Sequence, residues 1–233
     1  MTFHALDAIE AVIEPFDWPF LASHAGAIDR YWDEASRGKS GMFNGTVLIQ
    51  HRGRVDGRIF RAGYRPVEYK QFLGYQRLDV PADGVRNGFG MAALRAADGA
   101  YLLGQMGAGT ANAGKIYFAA GTPDLGDVVD GKVDLAGSVV RELCEETGLC
   151  ADEVRVAEGW TAILMDKKAA FMRDVSIDLP AREARALMLE RMKSLHEDEL
   201  SDIVIVGPDF DLDNPRMPDF MQAYLRRAFA GGR

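Results

Sequence analysis

Three glutamates crowd into the stretch "RELCEETGL", residues 141–149: Glu142, Glu145 and Glu146, with Arg141 just ahead of them and Gly148 just behind. On a helix, positions i, i+3 and i+4 fall within an arc of roughly 100°, so the three carboxylates share one face. Leu135, Val139, Val140 and Leu143 cover the neighbouring face, which makes that side the packed one. Like charges at i, i+4 destabilise a helix by about 0.2–0.5 kcal/mol, and acids in its last turn oppose the macrodipole. Helix propensity therefore does not explain the cluster. A divalent cation does: clustered carboxylates with room for water suit a hard ion such as Mg²⁺, completed by the phosphate oxygens of a substrate. Arg141 is one turn from Glu145 and can orient it through an ion pair. An acidic helix face is also, in many proteins, plain solvated surface, and charge patterning alone leaves both readings open.

The elements that must hold this face can be read from both sides of it. Asp134 is a candidate N-cap and Gly148 sits where a left-handed C-terminal residue belongs, so the helix runs about fourteen residues. Before it, "TPDLGDVVDGK", residues 122–132, has Pro, Gly and Asp at the density of a loop. Further upstream, "TVLIQHRG" and "GRIFRAGY" predict strands joined around Gly53 to Gly57. "FGMAALRA", "AYLLGQMG" and "KIYFAAG" predict three more. Residues 22–37 have helical spacing, and "PVEYKQFLGYQ" predicts a short helix opened by Pro66. Downstream, "VRVAEGWTAILM" and "AAFMRDVSIDL" predict strands, "AREARALMLERMKSL" an amphipathic helix, "SDIVIVG" a strand and "DFMQAYLRRAF" a last helix. Strands before and after a central helix predict one mixed α/β (α+β) domain, a mixed sheet sandwiched between helices with an N-terminal helical extension. On this reading residues 1–40 are an arm, 41–207 the core and 208–233 a C-terminal helix.

Composition narrows the partners. A chain of 233 residues, 48% hydrophobic and 27% charged, has the make-up of a globular protein with a sizeable core. Its net charge of -8 argues against broad nucleic-acid or anionic-membrane binding, which call for a basic face. The first twenty residues lack the charged start and apolar centre of a signal peptide, and no apolar run reaches the ~20 residues of a membrane span. The expectation is a cytoplasmic protein. Its two cysteines, Cys144 and Cys150, are expected to be buried or idle thiols. His4, His24, His51 and His196 have no serine or cysteine nucleophile motif beside them, so no catalytic triad can be assembled.

The stretch "RELCEETGL" resembles the core of the Nudix box, whose pattern runs G-x5-E-x7-R-E-U-x-E-E-x-G-U with U aliphatic. Arg141, Glu142, Leu143, Glu145, Glu146, Gly148 and Leu149 match it in spacing. The front half departs: Val133 stands where the family has Glu, and Asp127 where it has Gly. If Gly121, at the end of "YFAAG", is the family's glycine, about six residues are inserted in the 122–132 loop, and Asp134 is the nearest acid. The resemblance implies a Nudix fold over 41–207 and Mg²⁺-dependent hydrolysis of a nucleoside diphosphate linked to another group, with Mn²⁺ as a substitute. It implies that Glu145 and Glu146 bind the ion, that Glu142 binds metal or activates water, that Arg141 orients the carboxylates, and that Gly121 offers backbone to the site. A further acid outside the box would come from "HEDEL", with Glu197, Asp198 and Glu199 as candidates and Glu199 the one carried forward.

For the substrate, "MFNGT" and "YKQFLG" resemble short elements of the Nudix branch that hydrolyses UDP-glucose and UDP-galactose, which makes Asn44 a candidate substrate contact. A turn at Asn44-Gly45 and a packed helix face at Tyr69, Phe72 and Leu73 explain the same residues. "NAGKIYFAAG" resembles the coenzyme A branch, so a coenzyme A or other dinucleotide pyrophosphatase is the alternative. A non-catalytic Nudix module that binds a nucleotide is the alternative from another class. Arg86, Asn87, Lys115 and Tyr117 could face a phosphate or base, and a surface turn and an edge strand explain them as well. Family resemblance also implies a homodimer.

Overall fold

The computed structural model describes residues 1–38, 42–195 and 199–231. In chain order its strands and helices are β1 (Thr2–Leu6), β2 (Ala8–Ile13), α1 (Pro19–Ala35), β3 (Thr46–Asp56), β4 (Ile59–Glu68), α2 (Tyr69–Arg77), β5 (Asn87–Arg95), β6 (Tyr101–Met106) and β7 (Ile116–Tyr117). There follow β8 (Val128–Val129), β9 (Lys132–Val133), α3 (Leu135–Thr147), β10 (Arg155–Val156), β11 (Trp160–Leu164), β12 (Lys168–Ser176), α4 (Ala181–Met192), β13 (Leu200–Val206) and α5 (Asp219–Gly231). The class is mixed α+β. By their contacts the residues fall into two units, Met1–Gly90 with Thr122–Ser138 and Gly159–Phe171, and Met91–Gly121 with Val139–Glu158 and Met172–Arg233.

In the first unit a five-stranded sheet has the order β3-β4-β2-β9-β8. β3 and β4 are antiparallel around Gly57, whose φ of 60 suits a residue without Cβ. β2 runs parallel to β4, and β1 pairs antiparallel with β11. The first thirteen residues thus supply two strands where the sequence pattern offered none. The expected loop at 122–132 is more ordered than its composition implies. It forms a 3-10 turn at Leu125–Asp127 and then the β8–β9 hairpin. The two residues between those strands, Asp130 and Gly131, have φ of 50 and 74, the positive pair that a tight Asp-Gly hairpin turn requires. α2 starts at Tyr69 instead of Pro66. Pro66 belongs to β4, and a capping box between Glu68 and Gln71 sets the helix start.

The core of this unit gathers Trp18, Ile49, Val67, Phe72, Tyr75 and Val85. Trp18 meets Tyr75 edge-on at 5.0 Å. His51 is packed, its ring stacked on Phe16 at 4.4 Å, and burial pushes its pKa down. His24 bonds locally to Ser23, while His196 lies outside the described residues.

In the second unit β6 is flanked by β13 and by the two-residue β7, and β10 pairs with β12. Tyr101, Phe118 and Tyr224 make an aromatic cluster, with Phe118 edge-on to Tyr224 at 5.8 Å. The Tyr224 hydroxyl donates to Asp174 at 3.0 Å, and burial raises its pKa. Leu135, Val139 and Leu143 are buried and Val140 is partly so, which makes the apolar stripe of α3 the packed one, as its spacing predicts.

Both ends of α3 are fixed by the residues expected to do so. Asp134 accepts a hydrogen bond from the Gly137 amide at 2.9 Å, as an N-cap does. At the other end Gly148 has φ of 75, and its amide donates to the Cys144 carbonyl at 2.8 Å. A Cβ at Gly148 would lie 2.7 Å from the Cβ of Arg191. Gly148→Ala is therefore expected to lose about 1–2 kcal/mol and to lower the melting midpoint by about 5 °C, read by thermal denaturation.

Candidate functional site

The chain reaches the acidic face of α3 through residues 118–121. After Tyr117 the strand β7 stops, and Phe118 to Gly121 continue as irregular backbone held by the Ala92 amide, which donates to the Ala119 carbonyl at 3.1 Å. This leaves the Ala120 amide directed away from the ladder. It donates to Glu146 Oε1 at 3.3 Å.

Glu146 is only 3% exposed. Glu142 is largely covered, with 14% of its side chain exposed, and Glu145 is the open member at 43%. Arg141 binds both of its neighbours: one guanidinium nitrogen lies 2.9 Å from Glu142 Oε1, and the other donates to Glu145 Oε2 at 2.6 Å. The carboxylate of Glu142 also lies against the backbone of Gly121, where an added Cβ would sit 2.0 Å from Oε1. Arg141, Glu142, Glu145, Glu146 and Gly121 are therefore neighbours in one unit.

As ligands, carboxylate oxygens are the donors that a hard divalent cation prefers. In the conformation described, Arg141 supplies positive charge to two of them. Among the described residues no three His, Cys, Asp or Glu side chains converge on one point that could hold an ion. The residues fit such an ion in donor chemistry, since carboxylate oxygens are what a hard divalent cation takes. A cavity of about 290 Å³ in the same unit is lined by Arg95, Tyr101, Arg155, Asp174 and Ser176, with none of the acidic cluster in its wall. The carboxylates lie on a face and not in that hollow.

The other candidates sit elsewhere. Glu199 is exposed just before β13, and its carbonyl accepts the Gly107 amide at 2.7 Å. Glu197 and Asp198 lie outside the described residues. Asn44, in the first unit, has both ends of its amide engaged at the start of α2. Nδ2 donates to Glu68 at 2.7 Å and Oδ1 accepts from the Lys70 amide at 2.9 Å. Lys115 donates to the Pro215 carbonyl, the Tyr117 hydroxyl accepts from Asn112, and Arg86 donates to the Met165 carbonyl.

Two features around α3 were not legible in the sequence. Arg191 of α4 donates to the Gly148 carbonyl at 2.8 Å and grips Glu153 with both nitrogens at 2.6 Å, which holds the Glu153 carboxyl below its usual range. The cysteines are also not idle thiols: Cys144 and Cys150 are joined in a disulfide.

Comparison with known proteins gives a family of likenesses. No family model matches the chain, and no curated protein sequence does. The chain is similar to Nudix hydrolases of known structure. The Nudix hydrolase RenU from M. smegmatis shares 19% identity over 64% of this chain and 88% of its own, at a TM-score of 0.43. The MutT protein from Methanosarcina mazei Go1 shares 18% over 67% and 99%, at 0.42. A bifunctional NMN adenylyltransferase/ADP ribose pyrophosphatase from Francisella tularensis, complexed with AMP and Mn, shares 14% over 70% and 45%, at 0.42. Likeness at this level adds no weight to an activity, so the Nudix chemistry has to be argued from the residues.

Gly121 tests the local geometry. A methyl group there meets the end of a flexible side chain, so Gly121→Ala is expected to melt within about 2 °C of the parent. It should displace Glu142 and, if the acidic face holds Mg²⁺, weaken that binding, measured by titration calorimetry; unchanged affinity would remove Gly121 and its contact from the site.

Proposed function

We propose that the chain is a Nudix hydrolase that cleaves the pyrophosphate of a nucleoside diphosphate linked to another group, with Mg²⁺ as its cofactor and Mn²⁺ as a substitute. The observation that carries this reading is the acidic face of α3, where a buried Glu146, a largely covered Glu142 and an open Glu145 stand beside Arg141 and Gly121. The match of these residues to the Nudix box in type and spacing supports it.

On this reading Glu145 and Glu146 hold the ion, and Glu142 either completes the ligand set or accepts the proton of the attacking water. When bound, Mg²⁺ supplies neutralisation of charge on the phosphoryl oxygens and favours ionisation of water. The residues of the chain do the rest. Glu146, fixed by the Ala120 amide, gives a carboxylate that cannot swing into solvent. Arg141 sets the direction of Glu142 and Glu145. Gly121 lets Glu142 approach backbone that any side chain would push away. Water attacks phosphorus, the bridging P–O bond breaks, and the proton of the water passes to a carboxylate, for which Glu142 is our candidate. Glu199 remains our candidate for an acid outside the box.

For the substrate we favour a UDP-sugar, on the resemblance of "MFNGT" and "YKQFLG" to that branch. Coenzyme A or another dinucleotide is the alternative. The hydrogen bonds of Asn44 support a role in fixing the start of α2, so any contact of Asn44 with substrate would have to use its exposed edge. A homodimer in the cytoplasm, with no nucleic acid or membrane partner, completes the proposal. No helix among the described residues is long and apolar enough to cross a membrane.

One observation favours a second reading. Arg141 bridges Glu142 and Glu145 directly, so a module that only binds nucleotide could balance part of this charge without an ion. Product release from nucleotide sugars, ADP-ribose, dinucleoside polyphosphates, NADH and coenzyme A, with Mg²⁺ or with chelator, separates the two. Metal-dependent cleavage is expected, and Glu146→Gln is expected to lower it by about 100-fold or more. Nucleotide binding without cleavage in Mg²⁺ or Mn²⁺ would leave the binding module.

A further inference from the structure

We propose that Cys144 and Cys150 form a redox-responsive latch on the last turn of α3, whose oxidation state sets how firmly Glu145 and Glu146 are held for a divalent cation. The latch rests on reading the acidic face as a cation site. Cys144 lies in the final turn of the helix, and the left-handed Gly148 turns the chain so that Cys150 comes back beside it, with the two Cα atoms 4.5 Å apart. That separation lies within the range a disulfide spans. The bridge encloses a loop whose ends are six residues apart, and the residues inside it include both glutamates.

A loop this short restricts the unfolded chain less than a long one does, so the bond contributes less to global stability than to local order. Local order is what the site needs, because the enclosed turn is the one that carries the carboxylates. A second fastening acts on the same turn. Arg191 donates to the Gly148 carbonyl and grips Glu153, and Glu153 accepts from the Cys150 amide at 3.2 Å. That network does not involve sulfur, so reduction loosens the turn without releasing it. Both cysteines are only half-buried, which leaves them open to a small reagent.

The oxidant is a low-molecular-weight disulfide. One cysteine sulfur attacks it, forming a mixed disulfide and releasing one small thiol. The second cysteine then attacks the mixed disulfide, closing the internal bond and releasing the other. Two electrons pass from the cysteine pair to the reagent, and the two thiol protons end on the two small thiols. Excess small thiol reverses both steps.

The test uses the full chain equilibrated across reduced-to-oxidised glutathione ratios. Mass-tag alkylation reads the state of the pair, Mg²⁺ titration calorimetry reads the cation affinity, and pyrophosphate cleavage is assayed in parallel. The expected result is one dithiol–disulfide transition, with Mg²⁺ bound several-fold more tightly by the oxidised form. Cys150→Ser should show the reduced-state affinity at every ratio. A pair that stays open in excess oxidised glutathione or closed in excess reduced glutathione would overturn the latch. So would equal Mg²⁺ affinity in the two states, or a serine variant that still follows the ratio. If affinity follows the redox state but neither form cleaves any pyrophosphate, the latch stands and the hydrolase reading fails. If cleavage occurs while affinity ignores the redox state, the latch alone is lost.

Discussion

The Glu146 carboxylate, 3% exposed, is the group around which the surroundings of α3 are arranged. Removing such a charge from water costs several kcal/mol unless hydrogen bonds or opposite charge replace the lost hydration. One replacement is the Ala120 amide, which can serve only because the backbone leaves the ladder after Tyr117. A longer β7 would have turned that amide to a neighbouring strand. The same departure brings Gly121 up to Glu142, and there only a residue without Cβ fits beside the carboxylate. The short strand, the irregular segment and the glycine therefore share one cause.

Acids in the last turn of a helix stand against the partial negative charge of its unpaired carbonyls. The structure answers this with a cation of the right sign at the right end. Arg191 reaches from α4 to the Gly148 carbonyl, and Glu153 fixes its direction with two charge-assisted hydrogen bonds. At the opposite end Asp134 caps the helix. The Arg191–Glu153 pair thus brings positive charge to the end of α3 where its acids are densest.

What could be read from the sequence follows from how local its cause is. The span of α3, its Asp134 cap and its Gly148 stop depend on residues within the helix or beside it, and all three were legible. The order of the acids was legible too, because helical spacing alone places them on one face. Arg191 was not: its partners Glu153 and Gly148 lie far off in the chain, and an arginine on an amphipathic helix looks like any solvated one. The Cys144–Cys150 bond was missed because it needs the turn at Gly148 to bring the sulfurs together, and cysteine count alone argued for free thiols. β1 and β2 were missed because each depends on a distant partner strand. The β8–β9 hairpin is a different case, since Asp130-Gly131 is a strong turn signal set within a stretch of loop-like composition.

Charge arithmetic ties the acidic face to the proposed chemistry. With all three glutamates ionised, Arg141 offsets one negative charge and two remain, the charge of a single divalent cation. A pyrophosphate is itself strongly anionic, so this face would repel it by direct Coulomb interaction in a partly desolvated setting. On the proposed reading a cation between protein and substrate would offset that repulsion, while Arg141 stays paired with Glu142 and Glu145. Its place is to keep those two carboxylates oriented, close enough to share charge and too far committed to them to serve the phosphate.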